Sequence, residues 1–120
     1  MILADTSVWI AHFRQGHPEL MKRLEEGEVA CHPFIVGELA CGNLKNRREI
    51  LSLLRDLPRV APTTDEEILR FIEDRRMMGK GLGYIDMHLL ASALLSNTPL
   101  WTLDQKLQEA ARELGIGYEA

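Results

Sequence analysis

The sequence predicts an α/β fold in which a short, mostly parallel sheet is covered on both faces by helices. Three observations predict it. Met1-Ile2-Leu3-Ala4 is an apolar run that ends in one acid, Asp5, with a helical pattern directly behind it. A strand buried on both faces of a parallel sheet reads this way, polar only where it emerges. Short apolar runs then alternate with amphipathic stretches along the whole chain, and hairpin turns are nearly absent, so the strands must be joined by helical crossovers. The chain contains no repeat, linker or low-complexity segment, and its 120 residues, 46% hydrophobic and 27% charged, suit one domain spanning 1–120.

The elements follow in order. Ile2 to Asp5 is the first strand, and a short helix runs through Val8, Trp9 and Phe13. Pro18 to Glu26 is a second helix, stopped by Gly27, and Val29 to His32 is a strand. Pro33 suits a first helical turn, where its missing N–H has no intrahelical acceptor anyway; that helix passes Glu38 and stops at Gly42. Ile50, Leu53, Leu54 and Leu57 recur at helical spacing over Asn46 to Leu57, and Pro58 ends the run. Val60-Ala61 is expected as a short strand. Thr64 and Glu67 form a capping box, opening a helix with Ile68, Leu69, Phe71 and Ile72 that frays at Gly79-Lys80-Gly81. Tyr84 to Ser96 is an apolar helix and Leu100 to Leu103 a strand. Asp104 opens a last helix with Leu107, Ala111 and Leu114 on one face, closed by Gly115, and Ile116 to Tyr118 is a final strand.

Composition removes several classes. No stretch reaches the roughly 20 apolar residues that span a bilayer. No basic region precedes Ile2-Leu3-Ala4, unlike a signal peptide, so a cytoplasmic location is expected. Cys31 and Cys41 are too few for a disulfide framework and read as small buried hydrophobes. With His32 and His88 they lack zinc-finger spacing. The net charge of −4 argues mildly against a nucleic-acid binder.

The distribution of that charge is more informative. Asp5 is the only charged residue from Met1 to Ala11, Glu38 from Val29 to Leu44, and Asp86 from Gly81 to Leu103, a segment that runs into Asp104. Without these four, 14 acids balance 14 bases, so the whole net charge resides in the set. Asp5 and Asp104 also suit N-caps, and Asp86 suits a first helical turn; Glu38 lies mid-helix, where capping has no role. A buried carboxylate must be protonated, paired or bound to a cation. One cluster explains all four: one or two hard divalent cations such as Mg²⁺ or Mn²⁺, two being able to clamp a phosphodiester.

The pattern resembles the PIN-domain ribonucleases, specifically the VapC-type toxins of toxin–antitoxin pairs. The resemblance rests on Asp5-Thr6-Ser7, Glu38-Leu39, Gly83-Tyr84-Ile85-Asp86 with Leu89-Leu90-Ala91, and Thr102-Leu103-Asp104, in order and over essentially the whole chain. It implies a three-layer α/β/α sandwich and Mg²⁺- or Mn²⁺-dependent endoribonuclease activity. It makes Asp5, Glu38, Asp86 and Asp104 the catalytic and metal-holding quartet, with Ser7, Thr6 and Thr102 in support. It also implies an RNA substrate, a homodimer and a cognate VapB-type antitoxin. Leu107 stands where many relatives carry an aromatic residue, a packing change.

Between Lys45 and Lys80 nine bases meet seven acids. Lys45, Arg47 and Arg48, and Arg75, Arg76 and Lys80, are the candidate phosphate contacts. Alternatives from other classes are a non-catalytic interaction domain on the same fold, a DNA nuclease, and a phosphoacceptor receiver domain. The last is disfavoured because Asp56 lies in an amphipathic helix.

Overall fold

The computed structural model describes residues 1–119; Ala120, the end of the expected 1–120 domain, lies outside the described residues. Three strands, β1 (Ile2–Ala4), β2 (Val29–Ala30) and β3 (Leu100–Trp101), form a parallel sheet in the order β2-β1-β3. Ile2 pairs with Val29 and Leu3 with Ala30 on one side of β1, while Leu3 pairs with Leu100 and Ala4 with Trp101 on the other. Every strand residue is buried. Because successive side chains point to opposite faces, both faces of the sheet are covered.

Among the described residues seven helices supply the cover: α1 (Thr6–Gln15), α2 (Pro18–Glu25), α3 (Pro33–Ala40), α4 (Arg47–Asp56), α5 (Asp65–Asp74), α6 (Tyr84–Leu95) and α7 (Gln105–Glu113). The apolar helix α6 buries seven consecutive residues, Met87 to Ala93, as expected of a helix enclosed on all sides. Leu3, Leu90, Leu100 and Leu107 are fully buried in one continuous core, each contributing about 1.5–3 kcal/mol by leaving water. No helix among the described residues is long and apolar enough to cross a membrane.

The helix starts follow from local chemistry. Thr64 Oγ1 accepts from Glu67 N at 3.1 Å and Glu67 Oε1 from Thr64 N at 2.9 Å, the reciprocal box expected at α5. Asp5 and Asp104 cap α1 and α7. His32 caps α3 through Nδ1, which accepts from Phe34 N at 2.9 Å.

Four expectations are corrected. Val60-Ala61 is not a strand: Cys31 N donates to the Pro58 carbonyl and Val60 N to the Cys31 carbonyl, leaving one bridge between Cys31 and Arg59. Pro62, with no N–H to donate, follows soon after. Ile116 to Tyr118 likewise makes a single bridge, Gly117 with Leu100. Helix α5 ends at Asp74, ahead of the glycines, because Met77 is buried and draws the chain back. Met77 N donates to the Ile72 carbonyl and Arg76 N to the Glu73 carbonyl, with Arg76 left-handed at φ 52°; this is a Schellman ending. Cys31 is buried but Cys41, at the end of α3, is exposed.

Candidate active site

Parallel strands deliver their following residues to one edge, the usual place for a ligand in open α/β sheets. Asp5 follows β1 and Thr102 to Asp104 follow β3, and β1 and β3 are neighbours. Thr102 Oγ1 donates to Asp5 Oδ2 at 2.7 Å and accepts from Asp104 N at 3.0 Å. One hydroxyl thus joins residues 97 apart in the chain. Ser7 donates through both N and Oγ to Asp5 Oδ1, and Ser7 Oγ accepts from Leu103 N at 2.9 Å.

Glu38 enters through Thr6, whose hydroxyl donates to Glu38 Oε1 at 2.7 Å and so ties α3 to the start of α1. Asp86 is not part of this network. Its Oδ2 accepts from Gly83 N at 2.9 Å, within the first turn of α6. Asp104 Oδ1 accepts from Leu107 N at 3.0 Å.

The quartet is less buried than its apolar flanks imply. Only Asp5 is enclosed, at 6% exposure; Asp86 is half-buried, and Glu38 and Asp104 are exposed. The flanking residues Ile35, Leu39, Met87 and Trp101 are buried in the core, while Glu38 and Asp104 face solvent and Asp86 lies half-way. Burial pushes the Asp5 carboxyl above its ordinary value, opposed by the hydrogen bonds from Ser7 and Thr102.

Among the described residues no Lys, Arg or His lies within ion-pair distance of any of the four carboxylates. The donor set suits a hard divalent cation: carboxylate and hydroxyl oxygens, without thiolate or imidazole. Among the described residues Glu38 Oε2, Asp86 Oδ1 and Asp104 Oδ2 have no hydrogen-bond donor, leaving one oxygen of each available. Among the described residues no three His, Cys, Asp or Glu side chains are drawn together at ion-holding distance. Like charges left to themselves repel, and each acid here is held by its own hydrogen-bond donors.

The basic candidates fall in several places. Lys45 joins Arg14, Asn43 and Glu38 around a cavity of 570 Å³. Arg47 donates to the carbonyls of Ala40 and Gly42, closing the end of α3, and Lys80 pairs with Glu113 at 3.2 Å. Arg48 lines a separate shallow cleft beside Ser52 and Leu53, and Arg75 and Arg76 terminate α5. Sequence reasoning missed Arg14, which no spacing links to Glu38. It also missed a ring cluster around His88: Phe34, Tyr84 and His32 lie at centroid distances of 4.7, 4.8 and 6.3 Å. Aromatic residues four before Glu38 and two before Asp86 were the available signal.

The sequence profile of the PIN domain matches residues 2–113. Ribonuclease VapC32 of Mycobacterium tuberculosis is 44% identical over 117 residues, covering 97% of this chain and 94% of that protein. Ribonuclease VapC1 of Methanocaldococcus jannaschii is 29% identical, covering 96% and 84%. The crystal structure of PAE2754 from Pyrobaculum aerophilum superposes with a TM-score of 0.60 at 18% identity, over 90% of this chain and 77% of that one. It shares the fold.

Proposed function

This chain belongs to the PIN-domain family, as a VapC-type member, and on that premise we propose that it is a metal-dependent endoribonuclease, the toxin of a type II toxin–antitoxin pair. The observation that supports the reading is that, among the described residues, none of Asp5, Glu38, Asp86 and Asp104 has a cationic partner, with Asp5 and Asp104 directly after the neighbouring strands β1 and β3. Asp5, Asp86 and Asp104 would hold Mg²⁺ or Mn²⁺, with Glu38 binding directly or through water. The chemistry supplied by such an ion when bound is Lewis-acid activation of water and neutralisation of charge on the phosphoryl oxygens.

The chain's own groups hold the acids in place. Ser7 and Thr102 orient both Asp5 oxygens, and their hydrogen bonds oppose the upward shift that burial imposes on the carboxyl. Thr6 restrains Glu38, and backbone N–H groups restrain Asp86 and Asp104. Pre-organised donors of this kind lower the reorganisation that a reaction must supply. Lys45 and Arg14, beside Glu38, are placed to meet a flanking phosphate; Arg48, Arg75 and Arg76 extend the basic surface, and Arg47 and Lys80 would have to leave their present partners to join it.

The proposed partners are RNA, a second copy of the chain and a VapB-type antitoxin. An apolar groove of 310 Å³ lined by Trp9, Phe13, Leu24, Leu53 and Leu57 suits an amphipathic antitoxin segment. The test is to incubate purified, antitoxin-free protein with total RNA and Mn²⁺ and map the new ends. Discrete cleavage, silent with EDTA and in Asp86→Asn, is expected; cleavage surviving both would refute the reading.

A further inference from the structure

We propose that Phe34 and Tyr84 form a stacking platform for a nucleobase of the substrate strand, at the starts of the two helices that carry Glu38 and Asp86. The inference rests on the ribonuclease reading and adds to it how a nucleotide is held. The chain has seven Phe, Tyr and Trp rings, and among the described residues these two are the exposed ones, at 38% and 46%. Both pack edge-on against the same buried ring, His88, with interplanar angles of 67° and 84°. Each sits in the first turn of a helix that carries one of the four acids. Phe34 is four residues before Glu38 on α3, one turn and about 6 Å along the axis on the same face. Tyr84 shares the first turn of α6 with Asp86 and faces His88 and Asp65 across it.

The rings are fixed before any ligand arrives. Tyr84 Oη donates to Asp65 Oδ1 at 2.8 Å, and His88 Nδ1 lies 3.3 Å from Thr63 Oγ1. Rigid rings lose little conformational freedom on binding, which makes exposed aromatics efficient stacking partners. Single-stranded RNA is recognised chiefly by stacking splayed bases on such rings. The base, unlike the phosphate, carries no charge for the neighbouring acids and Asp65 to repel.

The experiment uses full-length protein, Mn²⁺ and a short single-stranded RNA containing a mapped cleavage site. Matched oligonucleotides carry an abasic nucleotide at each position flanking the cleaved bond. Phe34→Leu and Tyr84→Leu keep an apolar cover over His88 but remove the π face. Each is expected to raise KM for the intact RNA on the order of tenfold, with kcat and thermal midpoint little changed. Neither should alter KM for the RNA lacking the stacked base, and the aromatic replacements Phe34→Tyr and Tyr84→Phe should keep KM below that of the Leu variants. Unchanged KM, or an equal loss on every abasic RNA, would overturn the platform while leaving the nuclease reading intact. A shift in size-exclusion mass in the Leu variants without a change in KM would make this face an interface between copies and overturn it too. If wild-type protein cleaves no RNA, both readings fall together.

Discussion

Acid should loosen this protein through His32 in particular. The ring is 3% exposed and caps α3 by accepting the Phe34 N–H on Nδ1; its Nε2 has no partner. A proton on Nδ1 would displace that N–H and place a positive charge at the positive end of the helix dipole. Burial, followed by His88 and Arg59, lowers the ring from about 6.5 to about 4. The unfolded chain therefore binds the proton first. Stability is intact above pH 6.5 and falls as pH drops toward 4, by about 1.4 kcal/mol per pH unit and about 3 kcal/mol in all. That is a large share of the roughly 5–15 kcal/mol of a typical domain. Asn caps helices well and does not titrate, so His32→Asn should lose its share of this slope. Urea unfolding of both proteins across the window gives the difference directly, with the other titrating groups common to both. A wild-type-minus-variant difference that stays constant from pH 6.5 to 4 would refute the reasoning.

Other consequences can be checked together. Asp5→Asn should abolish cleavage yet raise the thermal midpoint in EDTA. Burial raises the Asp5 carboxyl, so the folded state favours its neutral form, and wild-type stability from this group should correspondingly grow as pH falls through its folded pKa. Thr102→Val strips Asp5 Oδ2 and Asp104 N of their shared hydroxyl and should cost about 1–3 kcal/mol in urea unfolding, with Mn²⁺ affinity falling as well. Arg76→Gly should stabilise by roughly 1 kcal/mol, because the left-handed backbone there costs an L-residue about that much. Leu53→Asp, in the apolar groove, should prevent co-purification with a co-expressed antitoxin while RNA cleavage persists.

The features readable in the sequence were those decided within a few residues. An apolar run ending in Asp5, Pro33 at a helix start, the Thr64–Glu67 box and the Asp104 cap each act over one turn, and each is present. The isolation of Asp5, Glu38 and Asp86 was readable too, because the absence of nearby bases is a sequence property. What depended on tertiary packing was not. Thr6 reaches Glu38 across 32 residues, and α5 stops where burial of Met77 outweighs the helix signal up to Gly79. Arg47 was read as free for phosphate, but folding brings the open carbonyls of α3 to it. Apolar neighbours of Glu38 signalled burial, yet a helix turns each residue by its own angle, and the acid faces out while Ile35 and Leu39 face in.

The most direct measurement is Mn²⁺ binding to the purified protein, followed by calorimetry at constant pH. The account predicts saturable binding in wild type, lost or severely weakened in each of Asp5→Asn, Asp86→Asn and Asp104→Asn, with every variant still folded. Equal binding by wild type and all three variants, or none by any of them, would contradict it.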